Sequence, residues 1–108
     1  MQLATGHELQ NEDVQRHRGL LMLEFGTSWC GYCQAALPNI QTALENFPQV
    51  THIKIEDGKG KRLGRLFSVK LWPTLILLKN GVEIDRLIRP ANAEMIKMAL
   101  SALCQAQQ

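Results

Sequence analysis

Short apolar runs alternate along the chain with segments in which hydrophobic residues recur at helical spacing. Residues 20–25 lie between two glycines and are apolar almost throughout, as expected for a central strand that is covered on both faces. Residues 74–78 form a second apolar run, and apolar and polar residues alternate between positions 50 and 56. These three segments therefore predict strands of a β-sheet.

Three further segments have the spacing of helices. From residue 30 to about residue 47 the apolar side chains recur every three or four positions, and we expect Pro38 to kink this helix because proline removes a backbone donor. A shorter helix is predicted over residues 61–67. Asn92 can cap a last helix, whose buried face comprises four apolar residues: Ile96, Ala99, Leu100 and Leu103.

The Asn80-Gly81 pair predicts a tight hairpin, with residues 82–88 as the antiparallel partner strand. Near the N-terminus, residues 3–5 are predicted as an edge strand and residues 8–16 as a helix. The order of elements is then β-α-β-α-β-α-β-β-α. We therefore expect one α/β domain over residues 1–108, with a mixed sheet that is parallel in its centre and has helices on both faces.

Composition and charge narrow the classes of function. The chain has 108 residues, of which 45% are hydrophobic and 20% charged, as in ordinary globular domains. Its formal net charge is +2 with scattered basic residues, so we expect no nucleic-acid partner. No apolar run could span a membrane, and residues 1–19 are too polar for a signal peptide. We expect a cytoplasmic monomer without a membrane partner, or a periplasmic protein if a signal peptide has been removed.

Two of the three cysteines, Cys30 and Cys33, lie at the predicted junction between the first strand and the long helix. Backbone N–H groups and the dipole at a helix N-terminus favour a thiolate, so we expect a lowered pKa for Cys30. Cys30 would then attack a substrate disulfide, and Cys33, one turn further along, would resolve the mixed disulfide. The spacing also fits half of a zinc site, although a second closely spaced ligand pair is missing from the sequence. By itself the pair leaves both chemistries open.

Glu24 is the one charged residue of the apolar segment 20–25. Burial of a carboxylate is costly unless the group has a partner or a function. Glu24 is therefore a candidate functional residue.

In their order and spacing, several motifs resemble those of the thioredoxin family over about residues 3–103. The matching features are Leu23-Glu24-Phe25, Trp29-Cys30-Gly31-Tyr32-Cys33, Pro38 in the following helix, Trp72-Pro73-Thr74 and Lys79-Asn80-Gly81. The resemblance implies the thioredoxin fold, and it favours thiol exchange over zinc binding. It also implies a cis peptide bond before Pro73, which would face the cysteines beside a backbone segment that pairs with an extended substrate.

The same resemblance implies roles for further residues. Glu24 would move protons to and from Cys33, and Lys54 would influence this transfer. We expect the substrate surface to comprise Trp29, Gly31, Tyr32, Trp72, Pro73 and Arg89. Trp72 would either flank the substrate groove or fill the core.

The function implied is reduction of protein disulfides, without a bound cofactor or metal and with a separate thiol reductase that restores the dithiol. A disulfide isomerase or oxidase in an oxidising compartment is the alternative enzyme. A non-catalytic adaptor that uses the fold only to hold a partner is the alternative outside catalysis. Cys104, which stands alone near the C-terminus, is predicted to be a passive residue.

Three positions depart from the family's pattern. Trp72 stands where many thioredoxins have a small aliphatic residue. Thioredoxins have Gly-Pro between the cysteines, where this chain has Gly31-Tyr32. Arg89 stands in a turn that contains glycine in other members of the family. Its side chain could narrow the substrate surface or place a cation near the thiolates, and the sequence favours neither.

The Gly31-Tyr32 pair generates a prediction about the reduction potential. Tyr32 has a backbone N–H that a proline would lack, and a donor near the thiolates stabilises the reduced form. We therefore predict a potential above the roughly −270 mV of thioredoxin. Equilibration with glutathione redox buffers measures it, and a value at or below that of thioredoxin would contradict the prediction.

Overall fold

The computed structural model describes residues 9–106, which form a four-stranded sheet and four helices. The helices are α1 (Asn11–Arg16), α2 (Gly31–Leu44), α3 (Arg62–Leu66) and α4 (Ala93–Gln105). The strands are β1 (Leu20–Gly26), β2 (Thr51–Glu56), β3 (Thr74–Lys79) and β4 (Val82–Ile88). They lie in the order β2-β1-β3-β4 across the sheet. The strand predicted at residues 3–5 lies outside the described residues.

The mixed sheet is confirmed, but the prediction that its centre is parallel is wrong. β1 pairs in parallel with β2 and antiparallel with β3, and β3 pairs antiparallel with β4. The central pair of the described sheet is therefore antiparallel. Both of its strands are buried on both faces, and this burial gives a continuous apolar run whichever way a strand runs. The pattern alone therefore did not specify strand direction.

β1 supplies side chains to two hydrophobic clusters, one on each face of the sheet. On one face, Met22 packs with residues of α2 and α4. On the other, Leu23 packs with Val14 of α1 and Leu63 of α3. Because side chains alternate between the faces of a strand, Glu24 shares the face of Met22 and points toward α2.

The predicted helices are present, with shifts at their ends. α2 begins one residue after Cys30, continues through Pro38 and ends at Leu44 rather than near residue 47. α1 is shorter than the predicted segment 8–16. Among the residues that the structure describes, no helix is long and apolar enough to cross a membrane.

Two local signals in the sequence are confirmed. Asn80 and Gly81 connect β3 to β4 with φ angles of 51° and 83°, the left-handed conformation that a tight hairpin requires. At the start of α4, the Asn92 side chain accepts a hydrogen bond of 2.9 Å from the Met95 backbone N–H. This cap fixes the beginning of the helix that packs against α2.

Asn92→Ala should lower the free energy of unfolding by about 1 kcal/mol, because it leaves a backbone donor of α4 without its cap. Urea denaturation measures this change. Asn46→Ala, in the exposed turn after α2, is the matched control and should be nearly neutral. Equal losses in the two variants would show that the cap contributes nothing specific.

Candidate active site

Cys30 is the last residue before α2 and caps that helix with its own sulfur. Its Sγ accepts a hydrogen bond of 3.2 Å from the Cys33 backbone N–H. Both cysteines are unpaired thiols and both are buried, with 6% of Cys30 and 9% of Cys33 exposed. Where β1 leads into α2, the fold therefore directs helix N-terminal donors at one sulfur.

Opposing effects set the acidity of Cys30. Burial raises the pKa of its thiol, but hydrogen bonds to the sulfur from the Cys33 thiol and from the backbone N–H groups of Cys33 and Tyr32 outweigh burial. The positive charge of Arg89 also lowers the pKa. The pKa of Cys30 therefore lies below its usual value, in the predicted direction. The Tyr32 donor is the backbone N–H that a proline would lack.

Cys33 is affected in the opposite sense. Burial raises the pKa of its thiol to about 11, with contributions from the hydrogen bond to Cys30 and from the negative charges of Cys30 and Glu24. The Thr27 backbone N–H lowers this pKa, but by less. The pKa values of the two thiols are therefore shifted in opposite directions, so that Cys30 forms a thiolate more readily than Cys33.

Gly26, the last residue of β1, lies directly against the second sulfur. A Cβ added at this position would lie 2.6 Å from Cys33 Sγ, closer than any real side chain approaches. The absent side chain therefore lets α2 bring Cys33 against the strand. Sequence reasoning identified Gly26 only as the end of an apolar run, because this contact joins two elements.

Glu24 is 4% exposed, and its Oε1 lies 2.7 Å from Nε2 of His52. The family resemblance implied that Lys54 acts on this carboxylate. Lys54 is the register partner of Glu24 on β2, but it is exposed, whereas His52 makes the close contact. His52 lies two residues earlier on the same face of the strand. Its imidazole can be buried without a charge, whereas a lysine ammonium is drawn toward solvent.

A cavity of about 330 Å³ connects the buried carboxylate to the second cysteine. Glu24, Cys33, Thr27 and Lys54 are among the residues that line it. The Thr27 hydroxyl is buried and has no hydrogen-bond partner among the residues that the structure describes. At about 30 Å³ for each water molecule, the volume is sufficient for water to bridge these polar groups.

Aromatic residues surround the exposed side of the cysteine pair. Trp29 and Tyr32 are 71% and 61% exposed. Trp29 contacts the partly buried Trp72 edge to face, with 5.6 Å between ring centroids. The Trp72 indole donates a hydrogen bond of 2.9 Å to Asp57, a residue that sequence reasoning did not select. Trp72 thus contacts the exposed Trp29 and also packs against the hydrophobic cluster that includes residues of α1 and α3.

Pro73 and Gly31 occupy the positions that the motifs suggest. The peptide bond between Trp72 and Pro73 is cis, as the family resemblance implies. Pro73 and Tyr32 line a second cavity, of about 130 Å³. Gly31 begins α2, and the space that a Cβ would fill there is open.

Arg89 places a cation beside the cysteine pair. Its Nε donates a hydrogen bond of 2.8 Å to the Trp72 carbonyl oxygen, and its guanidinium carbon lies 3.8 Å from the centroid of the Tyr32 ring. The sequence left open whether Arg89 narrows the surface beside the cysteines or places a cation near the thiolates. The contacts with Tyr32 and Trp72 and the effect of its charge on Cys30 are compatible with both. The residue covers part of the surface and also brings positive charge to the thiolate.

The described part of the chain does not contain a set of side chains that could complete a zinc site with the cysteine pair. Within residues 9–106, no three histidine, cysteine, aspartate or glutamate side chains lie close enough together to hold a metal ion. Cys104 lies apart from the pair, where its sulfur accepts a hydrogen bond from the Gln49 side chain.

Comparison with known proteins gives one consistent family. The thioredoxin family model matches residues 3–102. Thioredoxin H2 of Arabidopsis thaliana is 30% identical over 90 residues, which cover 83% of this chain and 68% of that protein. Thioredoxin-1 of Saccharomyces cerevisiae is 32% identical over 83 residues, which cover 77% of this chain and 80% of the yeast protein.

A solved structure agrees with the sequence comparisons. The reduced form of thioredoxin 2 from Pseudomonas aeruginosa PAO1 superposes with a TM-score of 0.82 at 43% identity, covering 91% of this chain and 92% of that one. The chain therefore belongs to the thioredoxin family: it is a thiol–disulfide oxidoreductase that uses a cysteine pair to act on disulfide-containing substrates.

Proposed function

We propose that this protein reduces protein disulfides, with Cys30 as the nucleophile and Cys33 as the resolving thiol. The observation that carries the assignment is the position of Cys30 at the N-terminus of α2, where its Sγ accepts a hydrogen bond of 3.2 Å from the Cys33 backbone N–H. This donor lowers the pKa of Cys30, whereas burial raises that of Cys33. A thiolate is the attacking species, so the sulfur with the lowered pKa reacts first. The sulfur that keeps its proton is held in reserve for the second step.

The reaction transfers two electrons from the cysteine pair to the substrate. Cys30 attacks one substrate sulfur, the substrate S–S bond breaks, and the departing sulfur takes up a proton. Cys33 then loses its proton and attacks the Cys30 sulfur of the mixed disulfide. The second substrate thiolate departs and is protonated, while Cys30 and Cys33 become a disulfide. A thiol reductase returns that disulfide to the dithiol.

Glu24 serves as the proton acceptor for Cys33. Its carboxylate lines the same cavity as the sulfur, and water in that volume can carry the proton between them. With Nε2 protonated, His52 donates to one carboxylate oxygen and holds the group in place. His52 is therefore a positioning residue in this mechanism, and Lys54 acts from the solvent side of the cavity.

The exposed surface around the cysteines fits an extended polypeptide. Trp29 and Tyr32 offer aromatic contact area, and the backbone next to Pro73 supports strand-like pairing with a substrate segment.

We propose that the protein acts in the cytoplasm as a monomer. Its low net charge favours protein substrates over nucleic acid or a membrane surface.

A disulfide isomerase is the second candidate, favoured by one observation. The Tyr32 backbone N–H supports the Cys30 thiolate, and this stabilises the reduced form that an isomerase requires. Reactivation of scrambled ribonuclease and reduction of insulin separate the candidates. We expect insulin reduction to be the faster activity, and ribonuclease reactivation without insulin reduction would assign the isomerase.

Cys30→Ser and Cys33→Ser should both abolish insulin reduction, but only Cys33→Ser should accumulate mixed disulfides with substrate. The reason is that Cys30 alone can attack, and no second thiol then releases the product. Non-reducing gel electrophoresis of the trapped species measures the difference. Cys104→Ser is the control and should retain activity. Trapping by Cys30→Ser would reverse the assigned roles.

Iodoacetamide should alkylate Cys30 in a lower pH range than an ordinary cysteine, whereas Cys33 should react only as the pH approaches about 11. The sign follows from the thiolate, whose fraction rises with pH through each pKa. Mass spectrometry of peptides after timed labelling identifies which sulfur has reacted. Equal labelling of both sulfurs near neutral pH would contradict the assigned order.

Glu24→Gln should slow turnover on the order of 10²-fold, as expected when a proton acceptor is lost, and flatten the pH profile. His52→Gln should shift that profile by a smaller amount, because the carboxylate remains but loses its neighbour at 2.7 Å. Lys54→Gln is the matched comparison on the same strand face. An unchanged rate and pH profile in Glu24→Gln would remove the proton-transfer role, and a larger shift in Lys54→Gln would assign the positioning role to lysine.

A further inference from the structure

We propose that Arg89 determines substrate specificity by favouring disulfides that carry a carboxylate next to the sulfur that Cys30 attacks. This inference rests on the proposed function and adds the chemical class of the substrate. It is carried by three features of Arg89: its fixed position, its lack of an acidic partner and its closeness to the cysteine pair.

The guanidinium of Arg89 is held by residues of the substrate surface. Its Nε donates a hydrogen bond of 2.8 Å to the Trp72 carbonyl oxygen. Its guanidinium carbon lies over the Tyr32 ring, 3.8 Å from the ring centroid. The Arg89 backbone N–H also donates to the Pro73 carbonyl oxygen at 2.9 Å. Arg89 adopts a φ of 50°, in the left-handed region that non-glycine residues seldom occupy. These contacts keep a flexible side chain in one place.

The charge of Arg89 is not neutralised within the described part of the chain. Arg86, which lies on β4, donates hydrogen bonds of 2.7 and 2.8 Å to the two oxygens of the Glu83 carboxylate. Arg89 is exposed and forms no ion pair with residues 9–106. Its contacts use Nε, so the remaining guanidinium N–H groups can donate to a ligand. Paired N–H donors on a planar cation match a carboxylate.

The position of this cation selects one site on the substrate. Arg89 stacks on Tyr32, which lies between the two cysteines in the chain, and its Nε donates to the carbonyl oxygen of Trp72, which precedes the cis peptide bond to Pro73. A substrate sulfur attacked by Cys30 therefore comes near the guanidinium. A carboxylate on the residue next to the substrate cysteine would then meet the free N–H groups. A neutral substrate gains nothing from this contact, although it still encounters the same thiolate.

The experiment uses two disulfide-linked peptide dimers that differ only in having glutamate or glutamine beside the cysteine. The measured quantity is the charge preference, defined as the rate constant for the glutamate peptide divided by that for the glutamine peptide. For the unaltered protein at low salt we expect a charge preference of about two- to fivefold, the range of an exposed ion pair. It should fall as salt is added.

Arg89→Gln should reduce the charge preference to about one, and Arg89→Lys should retain part of it because the charge stays but the planar fork is lost. Arg65→Gln, an exposed arginine of α3, is the control with the same change in net charge and should keep the full preference. Tyr32→Ala should weaken the preference by releasing the guanidinium, whereas Tyr32→Phe should preserve it.

The outcomes separate this inference from the proposed function. Reduction of both peptides at equal rates by the unaltered protein would overturn the inference and leave the reductase intact. If Arg89→Gln slows both peptides by the same factor, Arg89 acts only on the Cys30 thiolate and the inference is again overturned. Failure to reduce either peptide or insulin would instead contradict the proposed function.

Discussion

The hydrogen bond from the Cys33 backbone N–H to Cys30 Sγ ties the start of α2 to the reacting sulfur. Residues 27–30 connect the end of β1 to α2 and place Cys30 at the N-terminus of the helix. Gly26 permits the turn to close, since any Cβ there would collide with the second sulfur. A helix N-terminus lowers the cost of negative charge on one thiol, while burial against the strand keeps the other protonated. The asymmetry of the pair thus arises from one junction between two elements.

The buried side of that junction supplies the proton chemistry. Glu24 occupies a core strand at the cost of desolvation, and the nearby His52 compensates part of this cost with a hydrogen bond. The cavity beside Cys33 gives the carboxylate a polar path to the sulfur. In the proposed mechanism this polar path lets Glu24 accept the proton of the second thiol, which an apolar core at this position would not allow.

The exposed side of the same junction supplies recognition. Trp29 and Tyr32 present aromatic surface, and Trp72 is anchored through its indole to Asp57. Arg89 adds a cation that stacks on the tyrosine and reaches the Trp72 carbonyl. In the proposed specificity, the acidity of the nucleophile and the preference for substrate charge are linked through this one side chain.

The sequence by itself determined the features that depend on neighbouring residues: the apolar strands, the hairpin at Asn80, the cap at Asn92 and the placement of Cys30 before a helix. These follow from local periodicity and backbone preference. Only the tertiary structure decided that the central strands run antiparallel, that His52 rather than Lys54 lies against the buried carboxylate, and how the cation of the β4–α4 turn is held. These features depend on strand register and on side-chain contacts between segments that are distant in the sequence. A strand that is buried on both faces is apolar throughout, so its sequence does not indicate its direction or its partners.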